Sequence, residues 1–152
     1  MGNEKLKTAV LNFMPEAEIS EDAQFLEVSI EKDKILALAR FLKENAETRF
    51  DFLFCETAVD FNEHFMMYYH LDSIEFRHQL VVKAKLEDRA NPEIDSVCAV
   101  WTGAEYHERE LFDLFGIHFR NHPDLRKIFL DNDWVGFPMR KDYSDPVNIV
   151  ER

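Results

Sequence analysis

Alternating apolar and polar side chains over residues 74–86 form the most constraining pattern in this chain. Every second position from Phe76 to Leu86 carries an apolar side chain or the ring of His78, and Lys83 is among the polar residues between them. Side chains of a strand point alternately to its two faces, so this segment is predicted to be a strand with one face in a core and one in water. That arrangement is typical of an antiparallel sheet.

The remaining elements are predicted from apolar spacing at the helical or the strand period. Helices are predicted over residues 4–13 and from an N-cap at Asp33 to about Asn45, and strands over residues 24–30, 49–57, 65–71 and 96–101. The strand over 49–57 is apolar on both faces, which predicts a central position, and residues 88–95 are predicted to be a surface loop. The sequence therefore predicts an α+β fold, a two-layer sandwich of helices on a mixed, mostly antiparallel sheet.

One further helix, over residues 103–115, has well-marked boundaries. Thr102 and Glu105 have the spacing of a capping box, in which side chains bond the free backbone N–H groups at a helix start. Gly116 follows the last apolar residue, and glycine readily adopts the left-handed conformation that ends a helix. We therefore predict a helix with a capped start that stops at Gly116.

The last part of the chain differs from the rest. The 152 residues are enough for one domain. Residues 1–101 are interpreted as the α+β domain, and residues 102–130 as a docking helix and turn that complete it. Residues 131–152 contain large apolar side chains but no period that would place them on one buried face. Such segments usually pack on another protein, so we predict an extended tail that wraps a partner.

Composition and charge argue against several classes of function. A net charge of -12 opposes binding to nucleic acid or anionic lipid. No run approaches the roughly 20 apolar residues of a membrane-spanning helix, and no signal-peptide pattern begins the chain. The two cysteines are too few to hold an iron–sulfur cluster, and no glycine-rich phosphate loop occurs. A cytoplasmic protein without a cofactor of its own is expected.

The densest charged cluster lies on the predicted third helix, at Glu108, Arg109 and Glu110. Arg109 stands one helical turn after Glu105 and one before Asp113, so it could bridge two carboxylates along one helical face. At a buried interface such a cluster would fix register and partner choice, because a charge left there without its mate is costly.

Catalytic interpretations of the neighbouring histidines are less favoured. His107, Glu108 and His118 could serve a stand-alone metal-dependent hydrolase, but no nucleophile, oxyanion donor or phosphate loop accompanies them. His118 and His122 have a metal-binding helical spacing, yet Gly116 stops the helix before them. No catalytic, cofactor-binding or metal-binding residue is predicted, and His122 is expected to be a structural or interface histidine.

Three segments closely resemble one known family. They are Glu108–Ile117, His122–Ile128 and Asp133–Tyr143, the last with the pattern Asp-Trp-x-Gly-x-Pro-x-Arg-Lys-Asp-Tyr. The family is the 30-kilodalton or C-type subunit of the NADH:quinone oxidoreductase, respiratory complex I, and the resemblance extends over about residues 35–146. The chain departs from the family where two residues separate the Lys-Asp-Tyr run from the proline that commonly follows it directly.

The resemblance implies a non-catalytic scaffold in the hydrophilic arm of a proton-pumping NADH:quinone oxidoreductase. Such a protein would brace the D-type, 49-kilodalton subunit of the quinone module, with B-type and I-type subunits nearby. It would be peripheral, on the cytoplasmic side of the cell membrane. It would hold no cofactor, since partner subunits bind NADH, flavin, iron–sulfur clusters and quinone. An equivalent subunit of a related membrane-bound hydrogenase, or of a ferredoxin- or F420-linked complex, is the alternative.

The same resemblance implies interface roles at matching positions. Those on the docking helix are Glu108, Arg109, Glu110 and Asp113. Those on the turn and the tail are His122, Arg126, Asp133, Trp134, Arg140, Lys141, Asp142 and Tyr143.

Overall fold

The computed structural model describes residues 3–145 and residue 147. Its helices are α1 (Asn3–Phe13), α2 (Ile35–Glu44) and α3 (Ala104–Phe115), with a short 3-10 turn at Lys32–Lys34 before α2. Its strands are β1 (Glu18–Ser20), β2 (Leu26–Glu31), β3 (Phe52–Asp60), β4 (Phe65–Ser73), β5 (His78–Leu86), β6 (Glu93–Asp95) and β7 (His118–Arg120). None of these helices combines the length and the apolar character that crossing a bilayer requires.

The alternating strand β5 lies in the middle of the main sheet. The strand order is β1-β2-β5-β4-β3, in which β5 runs parallel to β2 and antiparallel to β4. Inward side chains of β5, such as Leu80 and Val82, are buried in one core with the apolar faces of the helices, and Gln79 on the other face is exposed. The sheet is mixed and mostly antiparallel, which confirms the predicted α+β fold.

The strand that was predicted to be central is an edge strand. Among the described strands, β3 pairs with β4 alone, and β2 pairs with β5 on the side away from β4. Phe52 and Phe54, which were expected to be buried, are 50% and 36% exposed. A register shift between Leu53 and Cys55 marks a β-bulge, a feature common at sheet edges.

Residues 96–101 contain a turn at 98–100 and no strand, so the strand predicted there is wrong. Val97 and Val100 are buried, as expected of an apolar run, but the Val97 N–H donates to the Glu108 carboxylate at 2.7 Å and not to a neighbouring strand. The predicted loop before this run contains β6, which pairs in parallel with β7. An apolar run thus indicates that its residues are buried, but it does not indicate which group their backbone N–H groups will bond.

The structure confirms the predicted end of α3 at Gly116 but not the N-caps predicted for α2 and α3. Gly116 has a φ of +72° and its N–H donates to the Phe112 carbonyl, which confirms the glycine ending. Gly103 is the N-cap of α3 and no side chain caps it, so the predicted capping box is wrong. The cap predicted at Asp33 is also wrong, because the 3-10 turn precedes α2 and Asp33 pairs with Arg120 at 3.0 Å.

Residues 131–145 contain no helix or strand, in agreement with the predicted irregular tail. They turn back onto their own domain, where the Met139 N–H donates to the Leu114 carbonyl at 3.1 Å. The ring of Phe137 lies so close over Gly116 that a Cβ there would be 2.6 Å from it. Residues 146 and 148–152 of the predicted tail lie outside the described residues, and the wrapping of a partner stays a prediction.

Candidate docking site

Glu108 is a fully buried carboxyl on α3 that joins the helix to the segments before and after it. Its Oε1 accepts the Val97 N–H at 2.7 Å, and its Oε2 accepts the Cys98 thiol at 3.3 Å. The Nε2 of His122 lies 3.8 Å from Oε2. Burial raises the pKa of Glu108, and the hydrogen bonds oppose this shift only in part.

A second carboxyl, that of Glu56, is buried near Glu108. Glu56 lies on the inward face of β3, and neither of its carboxylate oxygens has a hydrogen-bond partner among the described residues. Burial, and after it the charge of Glu108, raise the pKa of Glu56 well above its usual value. Two neighbouring carboxylates in a dry interior disfavour each other's charge, so each raises the pKa of the other.

Arg109 holds the segment that follows β7. Its Nε donates to the carbonyl of Arg126 and its Nη2 to the carbonyl of Lys127, each at 3.2 Å. The planar guanidinium therefore fixes two successive peptide groups. The bridge predicted from Arg109 to Glu105 and Asp113 is not formed among the residues described.

Asp113 holds the same segment from the other end of α3. Its Oδ2 accepts the backbone N–H groups of Ile128 at 3.0 Å, Phe129 at 2.7 Å and Leu130 at 3.0 Å. Burial opposes the charge of this carboxylate, but the N–H donors outweigh it and lower the pKa of Asp113. The Phe129 side chain is 65% exposed on the segment anchored in this way.

Asp60, at the end of β3, anchors the tail. Its carboxylate accepts two hydrogen bonds from Arg89, one of them 2.8 Å long. It also accepts the N–H groups of Lys141 and Asn62, each at 2.8 Å. Arg89 donates in addition to the carboxylate of Asp142 at 2.8 Å. The hydrogen bonds from Arg89 are the main reason why the pKa of Asp60 lies far below its usual value.

Arg140 supplies a further contact between the tail and the domain. Its Nε donates to the Phe115 carbonyl at 2.6 Å, which is one of the carbonyls left free at the end of α3. Its guanidinium lies over the rings of Phe65 and Phe137, 5.2 and 4.7 Å from their centroids. Burial is the main cause of a lowered pKa at Arg140.

The predicted interface residues divide into three groups by their exposure. The buried residues, which bind groups of their own chain, are Glu108, Arg109 and Asp113. The partly buried residues are His122, Trp134, Arg140 and Tyr143. The exposed residues, which are free to meet another protein, are Glu110, Arg126, Asp133, Lys141 and Asp142. The interface role of each of them stays a prediction.

The catalytic trio considered for a hydrolase is not assembled in the part of the chain that the structure describes. The potential metal ligands that come together are those of Cys98, Glu108 and His122, without His107 or His118. His122 has the structural surroundings expected of it, since its Nε2 lies 3.1 Å from the Glu105 carbonyl.

Sequence reasoning missed Glu56, Asp60, Arg89 and Cys98 as site residues. Glu56 carried a signal, because a charged residue at an inward position of an apolar strand is rare. The pairing of Asp60 with Arg89 carried none, because 29 positions separate the two residues.

The fold and the site together define a class of protein. A small α+β domain uses buried charges to hold an irregular segment on its surface, and that segment exposes large apolar side chains. Phe129, Val135 and Met139 are 65%, 86% and 55% exposed. Exposed apolar groups held in this manner are typical of a protein that docks in a larger assembly.

Comparison with known proteins gives the family. The model of the family described as "Respiratory-chain NADH dehydrogenase, 30 Kd subunit" matches residues 28–147, and the chain belongs to this family. It is 45% identical over 129 residues to the C-type subunit of the NADH-quinone oxidoreductase of Geotalea uraniireducens, and the match covers 83% of this chain and 77% of the relative.

Two further relatives extend the comparison. The C/D-type subunit of the NADH-quinone oxidoreductase of Phocaeicola vulgatus is 43% identical over 108 residues, which are 70% of this chain and 21% of that longer protein. A chain in the structure of the membrane-bound sulfane sulfur reductase, an archaeal respiratory membrane complex, superposes with a TM-score of 0.76 at 25% identity. That match covers 95% of this chain and 87% of the other.

Proposed function

We propose that this chain is a non-catalytic scaffold in the hydrophilic arm of a proton-pumping NADH:quinone oxidoreductase, where it braces the D-type protein of the quinone module. The observation that carries the proposal is the anchored segment over residues 126–142. Arg109, Asp113 and Asp60 fix its backbone, and it presents Phe129 to solvent. A segment ordered before binding loses less conformational entropy on docking, and exposed aromatic side chains are frequent interface anchors.

The D-type protein is the partner that the comparisons favour. One relative is of the C/D type, in which the C-type and D-type sequences share one polypeptide. Neighbouring contacts with B-type and I-type subunits follow from the family resemblance. A net charge of -12 opposes contact with anionic headgroups, so the chain would attach through its complex to the cytoplasmic side of the membrane.

Electron transfer is assigned to partner subunits, and this chain would hold no flavin, iron–sulfur cluster, NADH or quinone. The donor set supports this assignment, since the sequence supplies two cysteines, Cys55 and Cys98, where a cluster usually takes four thiolates.

The docking proposal is tested with two substitutions of matched exposure. Phe129→Ala removes an exposed ring from the anchored segment, and Ile74→Ala removes a side chain that is 66% exposed in the turn between β4 and β5. Phe129→Ala is expected to weaken binding to the D-type protein by more than about 10-fold, the size of a modest hot spot. Ile74→Ala should leave it unchanged. Equal effects of the two variants on the dissociation constant would refute docking through this segment.

A second candidate is the equivalent subunit of a related membrane-bound complex with another electron donor or acceptor, such as a hydrogenase or a ferredoxin- or F420-linked enzyme. The structural likeness to a chain of the archaeal sulfane sulfur reductase complex favours it. Both candidates use the same docking surface, so the Phe129 variant does not separate them. Purifying the native complex and measuring which donor reduces it distinguishes the two.

A further inference from the structure

Three potential metal ligands meet in the interior beside α3. They are the Sγ of Cys98, a carboxylate oxygen of Glu108 and the Nε2 of His122, and all three atoms lie within 4.8 Å of one another. Measured from the Oε2 of Glu108, Sγ is 3.3 Å away and Nε2 is 3.8 Å away. Ligands about 2.0–2.3 Å from a tetrahedral zinc ion are separated from each other by roughly 3.3–3.8 Å. The cluster therefore needs little rearrangement to close around one ion.

A second carboxyl, outside this group of three ligands, lacks a partner. Glu56 is 4% exposed, lies on the inward face of β3, and both of its oxygens are without a hydrogen-bond partner in the described part of the chain. Glu56 is not among the three ligands that lie within 4.8 Å of one another, but its charge raises the pKa of the Cys98 thiol and the charge of Glu108 raises the pKa of Glu56. A buried polar group left unpaired is destabilising. Coordination to a cation would remove that cost.

We propose that Cys98, Glu108, His122 and Glu56 bind one divalent cation of the zinc class. Thiolate, imidazole and carboxylate together select zinc or a similar transition metal over magnesium and calcium, which prefer oxygen ligands alone. Four protein ligands make a closed, structural site. The site departs from the expectation that the chain binds no metal. It leaves the proposed absence of electron carriers unchanged, because zinc has no redox chemistry.

Such an ion would tie β3 and α3 to the residues on both sides of the helix. Glu56 belongs to β3 and Glu108 to α3, while Cys98 precedes the helix and His122 follows β7. His122 lies directly before the segment that carries Phe129. The cation would therefore stabilise the base of the docking segment from inside the domain, in addition to the anchors formed by Arg109 and Asp113.

Binding must displace protons from the ligands. The Nδ1 of His122 accepts the Asp124 N–H at 2.9 Å, so the ring hydrogen is on Nε2, which faces the Glu105 carbonyl. A cation at Nε2 takes the place of this hydrogen, which moves to Nδ1, and the Asp124 N–H then loses its acceptor. The thiol proton of Cys98 is released to solvent. Zinc affinity should accordingly increase as the pH rises.

The test is a zinc titration of the full chain after chelator treatment, in competition with a chromophoric chelator near neutral pH. One zinc ion per chain is expected. Cys98→Ser and Glu56→Gln should each weaken binding by more than about 10-fold, the smallest loss usual for groups around a metal. Cys55→Ser is the matched control, because it removes the other thiol, which is outside the cluster. It should leave the affinity unchanged.

A second measurement keeps the proposal testable if Cys98→Ser does not fold. Cobalt added to the wild-type chain should give the thiolate charge-transfer absorption and the strong visible bands of a tetrahedral ion. The amide NMR signal of Asp124 should shift with the same stoichiometry. Equal zinc affinity in the wild type and Cys98→Ser, or a cobalt complex without a thiolate band, would overturn the proposal.

Discussion

Replacing Asp60 by asparagine tests whether a buried ion pair fixes the tail. The Asp60 side chain is 3% exposed and its partner Arg89 is 19% exposed. Asparagine keeps the shape but removes the charge, and its NH₂ group must face one of the present N–H donors. Removing one partner of a buried pair costs about 3–5 kcal/mol. Because the Arg89 side chain is partly exposed to water, we expect a loss at the lower end of this range, about 3 kcal/mol in the free energy of unfolding.

Urea unfolding of the two proteins measures this loss. With a slope of about 2 kcal/mol per molar urea, the midpoint should fall by about 1.5 M. The matched control is Asp142→Asn, since Asp142 binds the same Arg89 at 2.8 Å but is 66% exposed. An exposed pair contributes about 0–1 kcal/mol, so the control should lower the midpoint little.

The effect of Asp60→Asn should depend on pH in a direction set by the lowered pKa of Asp60. In the unfolded chain the pKa of an Asp side chain is about 3.9, and the pKa of Asp60 in the folded protein is lower. The ionised carboxylate therefore stabilises the fold above about pH 3.9, and this stabilisation is lost as the pH falls through the folded-state pKa. The difference between wild type and variant should therefore be full above about pH 4 and shrink in stronger acid.

Hydrogen exchange shows where the loss acts. The amide of Lys141, which donates to Asp60 at 2.8 Å, should exchange faster in Asp60→Asn, and the exchange of the β5 amides should change only with global stability. Equal midpoints for Asp60→Asn and Asp142→Asn, or an unchanged Lys141 amide, would refute the reasoning.

Two further substitutions test the helix ending and the second anchor. Gly116→Ala should lower the free energy of unfolding, measured by thermal unfolding, by about 2 kcal/mol or more, because the φ of Gly116 is +72° and the new Cβ would meet the Phe137 ring. Gly103→Ala is the control, since there is open space around Gly103, and it should change stability by under about 1 kcal/mol. Identical melting temperatures would contradict this. Asp113→Asn should lower the free energy of unfolding by about 1–3 kcal/mol, because the charged acceptor of three backbone N–H groups is lost. Hydrogen exchange should become faster at those three amides, which are the amides of Ile128, Phe129 and Leu130. Glu110→Gln, at an exposed position of the same helix, should change neither quantity, and a comparable effect there would argue against a specific anchor.

The parts of the fold that could be predicted carry a signal within their own few residues. The alternation of β5 identified both the strand and its buried face, since burial on one side of a sheet imposes a period of two. Gly116 likewise marked the end of α3, because its left-handed φ is a local property of glycine.

The parts that could not be predicted depend on which segment packs against which. Phe52 and Phe54 on one face of β3 and Leu53 and Cys55 on the other gave the strand two apolar faces. That pattern does not distinguish a central strand from an edge strand with exposed aromatic rings. Val97 was buried as expected, but its N–H found the carboxylate of Glu108 and not a strand.

Several residues of the candidate site could be predicted from the sequence, but the groups that their side chains bind could not. The resemblance selected Arg109 and Asp113, whose side chains bind the segment after β7. The spacing of charges along α3 suggested pairs within the helix instead, because such spacing reports only neighbours on the same helix. Neither argument predicted that Asp60 binds the tail across the fold.

Hydrogen exchange of the full chain, alone and mixed with the D-type protein, tests the docking surface most directly. The two proteins should form a stable unit, and the amides of residues 126–142 should become protected while those of the turn between β4 and β5 exchange as before. A failure to associate, or protection confined to surfaces away from Phe129, would contradict the central claim that the anchored segment is the part of this chain that a partner binds.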